Sequence, residues 1–198
     1  MSNTANAKIL QPIAGRKNLS RLHWAIRHCL KCPLHKSRIH AVPGQGPVNV
    51  DIMFIGEAPG KNEDLMGLPF VGRSGIFFNN LLLSTGIDRS QTYITSAVKC
   101  RPPANRNPSN DELRICKENW LDKQISLVDP KLIVLLGKIP LKQIFNRTDN
   151  LNNLHGRTLN QNGRTCFLTF HPAAAMRFPK IRKKMIQDFK RLTQDNFF

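Results

Sequence analysis

Four short apolar runs constrain this chain most: VNVDIMFIG (48–56), TYITSAV (92–98), KLIVLLG (131–137) and RTCFLTF (164–170). Stretches with helical patterning separate them. A strand that is apolar on both faces must be covered on both faces, and strands joined through helices run parallel. The expectation is an α/β domain over 18–198, with a central four-stranded parallel sheet flanked by helices on both faces. Residues 1–17 are polar and basic, contain Pro12 and Gly15, and are expected to be flexible. A helix is expected at about 18–30, with a long loop from Glu57 to Gly72. A helix opening at Ser74 is closed by Gly86, and a proline-rich loop follows the second strand. The capping box Ser109–Glu112 opens a helix to about Leu127. Further helices are expected at 138–146 and 179–192, with a weak extended piece near 157–159. Trp24, Trp120 and Cys166 read as core.

Parallel sheets bind ligands at the carboxyl ends of their strands. Here those ends carry GEAPG, SAVKCRPP, LGK and HPAAA. Gly56 and Gly60 with Pro59 set a tight turn that lets backbone approach a ligand. Glu57 in that turn could orient or activate water, or simply cap a helix in solvent. His171, between an apolar strand and Pro172, could donate to a group gaining negative charge, or could be an ordinary loop histidine. Phe70 in GLPFVG could be a stacking platform for a base or a hydrophobic plug.

Cys29 and Cys32 form C-x2-C; after a gap of 67 residues Cys100 and Cys116 form C-x15-C. Four thiolates so arranged can converge on one soft metal centre, zinc or iron–sulfur. With no secretory segment and no membrane-length apolar run, ligation fits a reducing compartment better than disulfides do. The chain carries 30 Lys+Arg against 13 Asp+Glu, a net charge of +17. Nucleic acid is the commonest partner for such a surplus. Lys8, Arg16, Lys17, Arg21, Arg27, Lys31, Lys36 and Arg38 precede the first acidic residue, Asp51, and the tail from Arg177 to Arg191 is again basic. The compartment is read as cytoplasmic and nucleoid-associated. The basic start is also similar to an organelle transit peptide, although CLKCPL lies within it.

CLKCPL, GEAPGKNEDLMGLPFVGRSG, YITSAVKCRPPANRNP, the Cys100–Cys116 spacing and HPAAAMR together resemble the family 4 uracil-DNA glycosylases, over about residues 20–192. The resemblance implies the uracil-DNA glycosylase fold, a monomer and a structural [4Fe–4S] cluster on Cys29, Cys32, Cys100 and Cys116. It implies base excision repair of uracil in double- or single-stranded DNA: the deoxyuridine flips into a pocket and its N-glycosidic bond is hydrolysed. Phe70 would stack on the uracil, and backbone of Gly56 and Ala58 would line the pocket. His171 would hydrogen-bond uracil O2 and stabilise the departing anion, and Glu57 would favour the positive sugar and position water. The HPAAAMR loop would enter the DNA with Met176 and Arg177.

One position departs from the family pattern. The stretch before the third cysteine usually reads TN-x-x-K-C, and its Asn reads the uracil edge; here Ser96 stands there, in Thr95-Ser96-Ala97-Val98-Lys99-Cys100. A hydroxyl offers one donor–acceptor contact instead of the paired amide set. This raises two alternatives: a glycosylase for another deaminated base such as hypoxanthine, or a non-catalytic iron–sulfur DNA-binding homologue. Retention of Glu57, Phe70 and His171 argues against the second. The covalent-trapping branch of the superfamily is not matched, because no Arg/His-rich insertion follows the second strand.

Overall fold

A computed structural model describes residues 4–194, with side chains from residue 15. The sheet is built from β1 (Ile52–Gly56), β2 (Thr92–Ser96), β3 (Leu132–Leu136), β4 (Arg157–Gln161) and β5 (Arg164–Thr169), in the order β2-β1-β3-β5-β4. The four expected strands are present and mutually parallel. The count of four is corrected to five, because β4 adds an antiparallel edge to β5. Its turn is Asn162-Gly163, with φ of 52° and 76°. Asn-Gly is the pair that best tolerates two positive φ angles and closes a two-residue hairpin. That signal was in the sequence.

Alternation along the strands divides the core. Met53, Ile55, Ile133, Leu135, Cys166 and Leu168 pack on one face; Ile52, Phe54, Leu132, Val134, Leu136 and Phe167 pack on the other. Each face is covered by helices, so every residue of β1, β2 and β3 is buried. A third cluster gathers Ile26, Leu34, Val98, Leu113 and Trp120 around the cysteines.

The helices are α1 (Thr4–Arg27), α2 (Lys61–Met66), α3 (Arg73–Ser84), α4 (Asn110–Cys116), α5 (Asp122–Val128), α6 (Lys138–Phe145), α7 (Leu151–Leu154), α8 (Pro172–Arg177) and α9 (Pro179–Gln194). Between α4 and α5 a π-helical stretch, Lys117–Leu121, joins the two. Of the segment expected to be flexible, residues 1–3 lie outside the described residues, and from Thr4 the chain is helical through both Pro12 and Gly15. The expected loop 57–72 contains α2, which begins after Gly60 and is stopped by Gly67 at φ 68°. HPAAAMR is likewise not a loop: Pro172–Arg177 forms α8, capped by His171.

Trp120 and Cys166 are buried as expected, but Trp24 is 63% exposed. Helical periodicity explains this. Leu19 and Ile26 are buried and Leu22 packs beside them, forming the inner stripe of α1. At about 100° per residue, position 24 falls on the opposite side.

Candidate active site and cysteine centre

Chain order places β2 on one side of β1 and β3 on the other, so a crevice opens at their carboxyl ends. The cavity there is about 250 Å³ and is lined by Glu57, Ala58, Glu63, Phe70, Ser96 and His171, among others. Residues far apart in sequence thus meet because β1, β2 and β5 end at the same level.

Ala58 lines the cavity as expected, but Gly56 is not among its lining residues; Gly56 instead makes room for Phe70. A Cβ at position 56 would lie 2.7 Å from Phe70 Cζ, and one at Gly75 would lie 2.0 Å from the Phe70 carbonyl oxygen. Phe70 itself sits at φ 53°, an uncommon conformation for a bulky residue. Its ring packs on Phe78 at 4.9 Å between centroids and faces His171 at 6.1 Å. It is therefore both packed from behind and open to the cavity. The two glycines are what allow a strained aromatic to stand as the cavity wall.

Glu63, which no sequence motif singles out as a site residue, organises this wall. Its nearly buried carboxylate accepts hydrogen bonds from the backbone N–H of Gly60 (3.1 Å), Val71 (3.0 Å) and Gly72 (2.7 Å). One side chain thereby ties the GEAPG turn to the turn that carries Phe70. The available signal was a Glu three residues after a turn-forming Gly, at the N3 position of a helix. Glu63→Ala leaves three inward N–H groups without an acceptor. It is expected to lower stability by about 2–4 kcal/mol, measured by denaturant unfolding, with a smaller loss for Glu63→Gln.

His171 caps α8: its Nδ1 accepts from the backbone N–H of Ala173 at 3.2 Å. An accepting Nδ1 is unprotonated, so the neutral ring carries its proton on Nε2. Burial pushes the His171 pKa down from 6.5 to about 4, against a smaller opposing pull from Glu63. Near neutral pH the site therefore presents a neutral imidazole with an Nε2–H donor. Behind it, Gly137 at φ 104° leaves His171 room, since a Cβ there would sit 3.1 Å from the His171 Cβ. Glu57 is half-buried, and burial raises its pKa above the usual 4.5.

Ser96 ends β2 in register with Gly56, and its side chain lines the cavity. Beneath it lies Lys99, fully buried, which donates to the Ser96 carbonyl at 2.6 Å and to Thr95 Oγ1 at 2.7 Å. Burial lowers the Lys99 pKa to about 8. Thr95 Oγ1 in turn donates to the Pro43 carbonyl, which also accepts from Gln124 Nε2. The strand end under position 96 is held by a buried polar chain, which hydropathy patterning does not register.

Met176 and Arg177 do not line the cavity. They end α8 and border a neighbouring groove with Lys61, Arg73 and Asn105. Met176 is 39% exposed at that rim.

The four cysteines come together. Cys29, Cys32, Cys100 and Cys116 line one small pocket with Ile26, Leu34, Val98 and Trp120, and none is in a disulfide. Trp120 Nε1 donates to Cys29 Sγ at 3.2 Å, and Arg38 Nη1 donates to Cys100 Sγ at 3.0 Å. Burial pushes the Cys100 thiol up to about 11 and that of Cys116 to about 12. Four soft donors in an apolar shell, two of them receiving N–H donors, fit a soft-metal centre. Among the described residues no group of three or more His, Cys, Asp or Glu forms a site for a single metal ion. Between Cys100 and Cys116, Pro102, Asn105 and Arg106 line the main cavity. Arg106 is held by a bidentate pair to Glu112 at 2.7 and 2.8 Å, and Glu112 also closes the capping box at Ser109. The cysteine centre and the cavity share a wall.

Residues 43–194 match the family model for the uracil DNA glycosylase superfamily. A type-4 uracil-DNA glycosylase of Sulfurisphaera tokodaii is 39% identical, covering 89% of this chain and 84% of that protein. Type-4 uracil-DNA glycosylases of Pyrobaculum aerophilum and Saccharolobus solfataricus are also 39% identical, covering 86% and 91% of this chain and 91% of each relative. With its cavity at the crevice of a parallel sheet and likeness along nearly its whole length, the chain belongs to the uracil-DNA glycosylase superfamily, in its type-4 family.

Proposed function

We propose that this protein excises uracil from DNA by hydrolysing the N-glycosidic bond, leaving an abasic site for base excision repair. The observation that carries the reading is the convergence of Glu57, Phe70, Ser96 and His171 on one cavity. A flipped deoxyuridine would lie against Phe70, with backbone at Ala58 beside it. His171 Nε2–H donates to uracil O2. As the bond from N1 to C1′ breaks, the electron pair leaves with uracil and the hydrogen bond to O2 strengthens, so the donor favours the transition state over the ground state. A neutral donor suits this role because it gives a hydrogen bond without competing for a proton. Glu57, as a carboxylate, stabilises the positive sugar and orients the water that adds to C1′; the water's proton passes to the carboxylate or to solvent.

The four cysteines hold a [4Fe–4S] cluster on this reading. Its contribution is to clamp the segment after α1 to the loop that walls the cavity, and no step of the reaction runs through it. Met176 and Arg177 contact DNA from the groove beside the cavity. The protein acts as a monomer on double- or single-stranded DNA in the cytoplasm; among the described residues no helix is long and apolar enough to cross a membrane. The alternatives raised by Ser96, a different deaminated base or a non-catalytic homologue, are not favoured, since the relatives above carry the type-4 uracil-DNA glycosylase name.

The test is incubation with oligonucleotides containing uracil, hypoxanthine or neither, followed by alkaline cleavage of abasic sites. Strand breaks at uracil support the reading, and no breaks at any base defeat it. Ser96→Asn is expected to raise kcat/KM for uracil by about fivefold to tenfold, the worth of one additional hydrogen bond of about 1 kcal/mol. No gain would mean that another group reads the base edge.

A further inference from the structure

Outside the cavity, the outer face of α1 combines two features that ordinarily occur apart: strong positive charge and a large exposed aromatic. Lys17, Arg21, Trp24 and His28 are all exposed. At helical spacing of i, i+4, i+7 and i+11, they fall within an arc of about 60°. His28, just past the end of the helix, packs its ring on Trp24 at 4.3 Å between centroids, and its Nδ1 contacts the Trp24 carbonyl oxygen at 2.8 Å. Trp24 is still 63% exposed, so the indole is braced on one side and open on the other. The helix itself carries charge of one sign, since no Asp or Glu precedes Asp51 in the chain. None of the residues lining the cavity or the groove beside it comes from α1.

We propose that this face is a second nucleic-acid site, which takes an unpaired strand by stacking a base on Trp24 while Lys17 and Arg21 contact its phosphates. Braced aromatics amid cations bind single strands because every base has a π-face and every linkage a charge. A duplex keeps its base faces covered, so it meets this surface through charge alone. An acidic protein would satisfy the cations but supplies no planar partner for the indole. The site would hold DNA in which a strand has already opened, separately from the flipping of the target nucleotide. The inference does not depend on the chemistry of the cavity.

Trp24 and Trp120 are the only tryptophans, and Trp120 is 8% exposed, so quenching of the emission by bound nucleic acid reports chiefly on Trp24. The probe is a uracil-free single-stranded oligo(dA), compared with a uracil-free duplex at the same salt concentration. Its failure leaves excision of uracil untouched, and a failure of excision leaves this result untouched. The single strand is expected to quench the emission. Trp24→Ala is expected to weaken its binding by roughly fivefold to a hundredfold, with a change below about twofold on the duplex. Trp24→Phe should keep most of the affinity, and unchanged melting of both variants shows that the fold is intact. Three results would each overturn the proposal: single-strand binding by Trp24→Ala equal to wild type, an equal loss on single strand and duplex, or quenching by polyglutamate but not by oligo(dA).

Discussion

His171→Ala is expected to slow uracil release by about 10²–10³-fold, the usual cost of removing one donor aimed at developing negative charge. Binding of uracil-containing DNA should change little, because the hydrogen bond strengthens only as the base departs. Single-turnover rates together with equilibrium binding separate the two effects; a loss confined to binding would remove His171 from the chemistry. The pH dependence is a further check. The His171 pKa in the folded protein is about 4, so the ring remains a neutral donor across the neutral range and adds no titration there. In the proposed reaction the acid limb of kcat/KM instead belongs to Glu57, which acts ionised and whose pKa is raised by burial. Activity should therefore fall as pH drops at values above the usual 4.5, and Glu57→Gln should remove that limb along with most of the rate. Stability has its own sign. The folded-state pKa of His171 lies below its unfolded value of 6.5, so the unfolded chain takes up more protons between about pH 6.5 and pH 4. His23, lowered to about 4 by burial with smaller contributions from Arg27 and Lys99, acts in the same direction. Their stabilisation is complete above about pH 6.5 and is lost as pH falls toward 4. The melting temperature should decline over that window, and less steeply in His171→Gln.

Much of this site could be read from residue order because its elements are local. Strand ends followed by Gly, Pro or His announce a ligand edge, and parallel order follows from apolar runs separated by helices. The residues that were missed act at a distance. Glu63 joins two turns, accepting from Gly60 three residues before it and from Val71 and Gly72 eight and nine residues after it, and Lys99 supports Ser96 from inside the protein. A charged residue in a sequence looks solvated until the fold shows which backbone groups surround it. The strand count failed differently: β4 is polar and half-exposed, so it has no hydrophobic signature, and its evidence was the Asn162-Gly163 turn. Residue type alone makes Trp24 resemble core, whereas its phase on α1 opposes Leu19 and Ile26.

Cys116→Ala is expected to abolish the visible absorbance of the purified protein and to lower its melting temperature by on the order of 10 °C. Metal binding that depends on the folded arrangement of four ligands contributes directly to folding, so a missing ligand weakens the fold as well as the centre. Position 116 should be the most sensitive of the four. Cys116 is buried at the end of α4, where the π-helical stretch begins, and that stretch places Trp120 against Cys29 Sγ. Losing this ligand frees one end of the segment from Cys100 to Cys116. Pro102, Asn105 and Arg106 in that segment line the cavity, so excision should fall even though no cysteine touches substrate. Cys166→Ala is the control: Cys166 is also buried but belongs to a different core cluster from the four cysteines. It should keep the colour and the excision rate, with only the modest stability loss of a small core truncation. If Cys116→Ala lost its iron but kept the melting temperature and excision rate, the clamp would not be structural. If wild-type protein were colourless with stoichiometric zinc, the four thiolates would still hold the wall of the cavity, through a different metal.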